Sequence, residues 1–190
     1  MAKDADKLQS RRDVLRVAST LGFGFASAAT FWLVRGRWAR GRSSRNLPPG
    51  SKLRSRKHPG LPFAIAAQLA FPGRQSVAVV GDGGFTQLMG ELVTEVKYEL
   101  PVKIVILKNN SLAEVLFEQQ ELGNPNYGCD LAPIDFVAFA KACGADGFRC
   151  SSPGEVKAAV QAALRSHKAA ILEVSVDPDE KPSLPSELRA

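Results

Sequence analysis

Val77-Ala78-Val79-Val80 runs directly into Gly81-Asp82-Gly83-Gly84, and Lys103-Ile104-Val105-Ile106-Leu107-Lys108 runs directly into Asn109-Asn110. Val77–Val80 is an unbroken apolar run, as expected for a strand buried on both faces. Pro101 introduces the second strand, Val102–Leu107. Twenty-five residues lie between Gly83 and Asn109, room for one helix and one strand. Each strand therefore ends on an oxygen-bearing side chain: a carboxylate at Asp82 and an amide at Asn110. Two such oxygens at neighbouring strand ends suit a hard divalent cation, and glycines beside them let backbone N–H groups approach an anion closely.

The surrounding text supports strands alternating with helices. Phe63–Ala70 reads as a short helix closed by Phe71-Pro72-Gly73. A helix is predicted from about Thr86 to Glu99, with Leu88, Met89, Leu92, Val93 and Val96 on one side. Leu112–Leu122 reads as helical, Asn124–Gly128 as a turn-rich loop, and Asp135 as the cap of a helix that stops at Gly144. Ser152-Pro153-Gly154-Glu155 combines a cap, a first-turn proline and a capping-box glutamate, and Val156, Val160, Ala163 and Leu164 form the stripe that follows. Ala170–Val176 reads as a last buried strand.

The expected fold is α/β: an open, doubly wound parallel sheet with helices on both faces, preceded by a basic, largely irregular N-terminal segment. In such sheets ligands bind beyond the carboxyl ends of the strands, where Asp82 and Asn110 both fall. The expected organisation is a basic leader and linker at 1–59, a folded domain at 60–178 and a loose tail at 179–190.

Charge divides along the same boundary. The net charge of +6 hides fourteen Lys or Arg against three Asp or Glu in residues 1–60, and eleven against sixteen in residues 61–190. A uniformly basic nucleic-acid binder does not divide this way, so no nucleic-acid partner is expected. Cys129, Cys143 and Cys150 lack metal-ligand spacing and read as reduced thiols. Ser10-Arg11-Arg12-Asp13-Val14-Leu15-Arg16 before the uncharged run Val17–Val34, with Ala26-Ser27-Ala28 inside it, resembles a twin-arginine export signal. The same run is at the lower limit for a membrane span. A leader without a targeting role is the competing reading, and it leaves the protein cytoplasmic. Arg35–Lys57, rich in charge and poor in apolar residues, is expected to be disordered.

A magnesium ion commonly shares its six oxygen ligands with phosphates and water, so the Asp82–Asn110 pair with its glycines describes a site for a magnesium-bound diphosphate. The order Gly81-Asp82-Gly83-Gly84-Phe85-Thr86 is not G-x-G-x-x-G, and an acid inside a phosphate loop needs a metal between it and the phosphate.

Gly81-Asp82-Gly83 through Asn109-Asn110 resembles the diphosphate signature of thiamine-diphosphate-dependent enzymes. The text from Gly60-Leu61-Pro62 to about Asp177 is similar to the C-terminal domain of the pyruvate oxidase and acetolactate synthase group. Pro72-Gly73-Arg74-Gln75, Leu100-Pro101-Val102-Lys103-Ile104 and Ala142-Cys143-Gly144 carry the same likeness. The resemblance implies Mg²⁺ ligands at Asp82, Asn110 and the carbonyl of Leu112. It implies diphosphate contacts at Gly81, Gly83 and Gly84, with Ser111 and Ala113 in the loop over the cofactor. It also implies a 2-oxo acid such as pyruvate as substrate, and a pyrimidine-binding domain on another chain or homologous subunit as partner, in an oligomer. FAD is not expected to bind this chain alone. The resemblance places no catalytic acid or base here, because the family's activating glutamate lies on the pyrimidine-binding domain. Where the family has a bulky apolar residue under the bent cofactor, the nearest counterpart is Lys57. An acetolactate synthase-like domain and a truncated, non-catalytic relative that binds cofactor or acts as an interaction module are the alternatives.

Overall fold

The computed structural model describes residues 31–35 and 60–179, the former by backbone alone. The leader up to Thr30, the basic segment 36–59 with Lys57, and the tail from 180 lie outside the described residues. Among the described residues five strands form one sheet: β1 (Phe31–Arg35), β2 (Gln75–Gly81), β3 (Lys103–Lys108), β4 (Asp146–Cys150) and β5 (Ala170–Ser175). Their spatial order is β1-β2-β3-β5-β4. β2, β3, β5 and β4 run parallel, and β1 closes the β2 edge antiparallel, with Phe31 opposite Val79 and Arg35 opposite Gln75. The end of the uncharged run Val17–Val34 thus supplies an edge strand.

Helices cover both faces, as the sequence predicts. They are α1 (Gly60–Ala70), α2 (Asp82–Thr86), α3 (Leu92–Lys97), α4 (Ala113–Glu121), α5 (Phe136–Ala142) and α6 (Val156–Arg165). The period-two alternation of strand side chains divides the core in two. Ile104 and Ile106 of β3 and Ile171 of β5 pack with Leu61, Phe85, Leu92, Phe136 and Ala140 on one side. Val105, Leu107, Leu172 and Val174 pack with Val156, Val160 and Ala163 of α6 on the other. Continuous apolar text from Ile104 to Leu107 in β3 and from Ala170 to Leu172 in β5 is the consequence of burial on both faces.

Two expectations are corrected. The single helix over Thr86–Glu99 is broken: α2 ends at Thr86, Leu88 leaves helical geometry at φ −135°, a 3-10 turn spans Met89–Glu91, and α3 follows. The break turns Leu92 and Glu95 inward and leaves Val93 55% exposed, so the predicted stripe does not face the core as one surface. Secondly, Asp146-Gly147-Phe148-Arg149-Cys150 forms a strand that the sequence reading passes over. The remaining helix signals hold. Asp135 caps α5 by accepting from Ala138 N, Gly144 ends it at φ 88°, and the Ser152/Glu155 capping box is formed. Among the described residues no helix is long and apolar enough to cross a membrane.

Candidate functional site

β2 and β3 are parallel neighbours with Gly81 paired to Leu107, so their carboxyl ends are level. Asp82 and Asn109-Asn110 consequently emerge side by side. The Asp82 Oδ2 accepts hydrogen bonds from Asn110 N at 2.6 Å and Asn109 N at 3.2 Å, while Oδ1 accepts from Gly83 N at 3.0 Å. Asn110 holds φ at 55°, a left-handed conformation that asparagine tolerates better than most residues. Asn109 Oδ1 accepts from Ser111 N at 3.1 Å, closing an Asx-type turn that turns the chain away from the strand.

The loop is braced from a second direction. Leu112 N donates to Cys129 O at 2.8 Å, and Leu131 N donates to Asn110 O at 2.9 Å, around an antiparallel bridge between Ser111 and Asp130. This pairing carries Leu131, Ala132, Ile134 and Phe136 over the end of the sheet. With Asp82, Thr86 and Asn110 they line a cavity of about 200 Å³. Thr86 Oγ1 donates to Gly83 O at 2.9 Å, tying α2 together at the cavity edge.

Asp82 is only 4% exposed. Burial pushes its carboxyl above the usual range, and the backbone N–H groups of Asn110, Gly83 and Asn109 pull the other way. No ion pair among the described residues reaches it; those found join Lys108, Arg149, Asp135 and Glu173. A buried carboxylate without a cationic side chain suits a metal cation. The hydroxyl of Ser111, next to Asn110 in the loop after β3, is also buried and has no hydrogen-bond partner among the described residues. The donor set therefore fits a divalent ion in one respect each for charge, oxygen chemistry and burial.

The sequence-predicted residues fall as follows. Asp82 and Asn110 line one cavity, and the Asn110 backbone N–H donates to the Asp82 carboxylate. Leu112 precedes α4 as its N-cap, and its carbonyl already accepts from Leu116 N at 3.0 Å, which leaves one lone pair. Ala113 opens α4 and is buried. Gly81 is the N-cap of α2. A Cβ at Gly83 would lie 2.5 Å from Leu112 Cδ2 and 3.1 Å from Leu131 Cδ1, so the Leu112 side chain covers this glycine. The Gly83 amide points to the Asp82 carboxylate. Gly84 lies within the same turn of α2. The sequence reading misses Thr86, Leu131, Ala132, Ile134 and Phe136 as cavity walls. Leu131–Ile134 carries no period, and tertiary contacts, the pairing with Asn110–Leu112 among them, bring it to the site.

Residues 59–174 match the family described as thiamine pyrophosphate enzyme, C-terminal TPP binding domain. The chain is 43% identical over 129 residues to the Bacillus subtilis (strain 168) protein YdaP, described as thiamine pyrophosphate-containing, a match covering 68% of this chain and 22% of that protein. It is 32% identical over 127 residues to acetolactate synthase of the same organism, covering 67% of this chain and 22% of the synthase. Among solved structures, the thiamine diphosphate-dependent 4-hydroxybenzoylformate decarboxylase of Rhodococcus jostii RHA1 superposes with a TM-score of 0.60 at 32% identity, over 64% of this chain and 23% of that one. The chain thus spans about a fifth of the length of the relatives it matches. It belongs to the thiamine pyrophosphate enzyme family through its C-terminal TPP-binding domain, and is related to the decarboxylases, lyases and synthases of the pyruvate oxidase and acetolactate synthase group.

Proposed function

We propose that this chain provides the magnesium and diphosphate site of a thiamine-diphosphate-dependent enzyme that decarboxylates or oxidises a small 2-oxo acid such as pyruvate. One observation carries the reading. The buried Asp82 carboxylate accepts the Asn110 backbone N–H at 2.6 Å, Asp82 and Asn110 line a single cavity, and no cationic side chain among the described residues pairs with the carboxylate.

In this reading Asp82, the side-chain carbonyl of Asn110 and the free lone pair of the Leu112 carbonyl hold Mg²⁺. The diphosphate is bound mainly through that ion, because Asp82 itself occupies the Gly83 amide. Gly81 and Gly84 keep side chains out of its approach, and Ser111 and Ala113 close the loop beside it. When bound, thiamine diphosphate supplies the electron sink for loss of carbon dioxide. The residues of this chain orient the anion, neutralise it through the metal and exclude water with the apolar wall. No residue of this chain is assigned the proton transfer. That step falls to a pyrimidine-binding domain on another chain or homologous subunit, and turnover then requires an oligomer.

Titration calorimetry with thiamine diphosphate is the test. Heat that appears with Mg²⁺ and vanishes with a chelator is expected, and absence of any Mg²⁺-dependent heat removes the proposal. Identity to acetolactate synthases, 32% and 34% in two relatives, favours a condensing reaction as the second reading. Once a pyrimidine-domain partner is supplied with pyruvate, formation of acetolactate selects the second reading, and an oxidised or simply decarboxylated product selects the first.

A further inference from the structure

We propose that Glu173 and Lys108 are positioning residues that hold the apolar wall of the cavity against the carboxyl end of the sheet. The proposal depends on the functional reading above only for the identity of the ligand. Glu173 lies in β5 between Ile106 of β3 and Arg149 of β4, and is 3% exposed. Its Oε1 receives Arg149 Nε at 3.2 Å and Lys108 Nζ at 3.4 Å, and its Oε2 accepts from the backbone N of Phe136 at 3.0 Å. Lys108 Nζ also donates to Ile134 O at 2.5 Å and stands 5.7 Å from the centre of the Phe136 ring. The far side of the Arg149 guanidinium reaches Asp135 Oδ1 at 2.6 Å.

Three strands therefore send charged groups to three consecutive residues, Ile134 to Phe136. Ile134 and Phe136 are walls of the cavity that Asp82 and Asn110 also line. This stretch belongs to no ladder, so side chains of the sheet satisfy its backbone groups instead. A buried ion pair is weak evidence for stability, because well-packed apolar residues often serve as well. Here the charges do what an apolar side chain cannot: they accept the Phe136 N–H, donate to the Ile134 C=O and fix both at one distance from the strand ends. The position of the wall, and with it the shape of the cavity, is set by Glu173 and Lys108.

Glu173→Gln keeps the shape and an acceptor but removes the charge that draws in Lys108 and Arg149. Hydrogen exchange on the full chain should show the Phe136 amide at least about tenfold faster, with amides inside β3 and β5 unchanged. Affinity for thiamine diphosphate with Mg²⁺ should weaken by about tenfold. Lys108→Met, at the last residue of β3 where the side chain is 14% exposed, should give the same local pattern, and Lys108→Arg should restore protection because it can still pair and donate. Unchanged exchange at Phe136 in both Glu173→Gln and Lys108→Met overturns the proposal, as does acceleration spread evenly through β3 and β5. If the unaltered protein binds no thiamine diphosphate, the functional reading falls while the exchange result still decides this one.

Discussion

Asp82 stands where a strand stops and a helix starts, and its carboxylate gathers three backbone N–H groups without a cationic side chain beside it. Asp82→Asn keeps one carbonyl oxygen but turns an NH₂ group toward an amide donor, so a loss of about 1–3 kcal/mol in unfolding free energy is expected. The Mg²⁺-dependent heat with thiamine diphosphate should vanish in the same variant, since a neutral amide replaces the charged ligand. A different buried acid is exposed to pH. Glu95 of α3 is fully buried, and neither carboxylate oxygen finds a hydrogen-bond partner among the described residues. Burial pushes its pKa up to about 8, against the pull of Lys103. Burial also lowers Lys103 to about 8, opposed by Asp146 and Glu95. Between the ordinary carboxylate value of 4.5 and about 8, the folded chain retains a Glu95 proton that the unfolded chain has released. Stability therefore falls as pH rises through that window. Above about 8 the folded chain gives up the Lys103 proton while the unfolded chain keeps it until near 10.5, so stability recovers. Urea midpoints should pass through a minimum near pH 8. Glu95→Met should remove the fall on the acid side and raise stability at pH 7 by about 1–3 kcal/mol, because it replaces an unsatisfied polar group by an apolar one of similar length.

At the scale of elements, β4 shows why a strand can be hidden in sequence. Asp146-Gly147-Phe148-Arg149-Cys150 has a glycine and two charges in five residues, all poor indicators of a strand. The glycine is there for packing: a Cβ at Gly147 would come 2.8 Å from the Val137 carbonyl oxygen and 3.1 Å from Val137 Cα, so α5 rests directly on the strand backbone. Gly147→Ala should cost about 1–3 kcal/mol in denaturant unfolding, since backbone on both sides must shift. Equal stability of that variant would show that α5 slides freely over β4. The starts of α5 and α6 were legible for the opposite reason. Ser152 and Glu155 satisfy each other's backbone N–H groups within four residues, a local arrangement that needs no tertiary partner. The break between α2 and α3 was not legible. Leu88, Met89, Leu92 and Val96 keep helical spacing, and only packing of Leu92 and Glu95 against the sheet rotates the second segment away from the first.

For the molecule as a whole, a ligand held only by the folded chain stabilises it by mass action. With thiamine diphosphate and Mg²⁺ at a hundred times the dissociation constant, unfolding free energy should rise by about 2.7 kcal/mol, and a chelator should abolish the gain. No shift of the thermal midpoint under those conditions would contradict the proposed site. The alternation of buried strands and capped helices, the α/β class and the meeting of Asp82 with Asn110 beyond two strand ends were determined by sequence alone. The reason is that strand burial, helix caps and parallel crossovers are written in residues close together along the chain. The tertiary structure alone decided the antiparallel strand Phe31–Arg35, the strand around Gly147, and the cavity wall from Leu131 to Phe136. Each depends on partners far away in sequence: β2 for the first, α5 and β5 for the second, and the Asn110–Leu112 loop with Glu173 and Lys108 for the third. Non-local contacts of that kind leave no periodicity to read, because what fixes them is the surface each segment meets after the chain has folded.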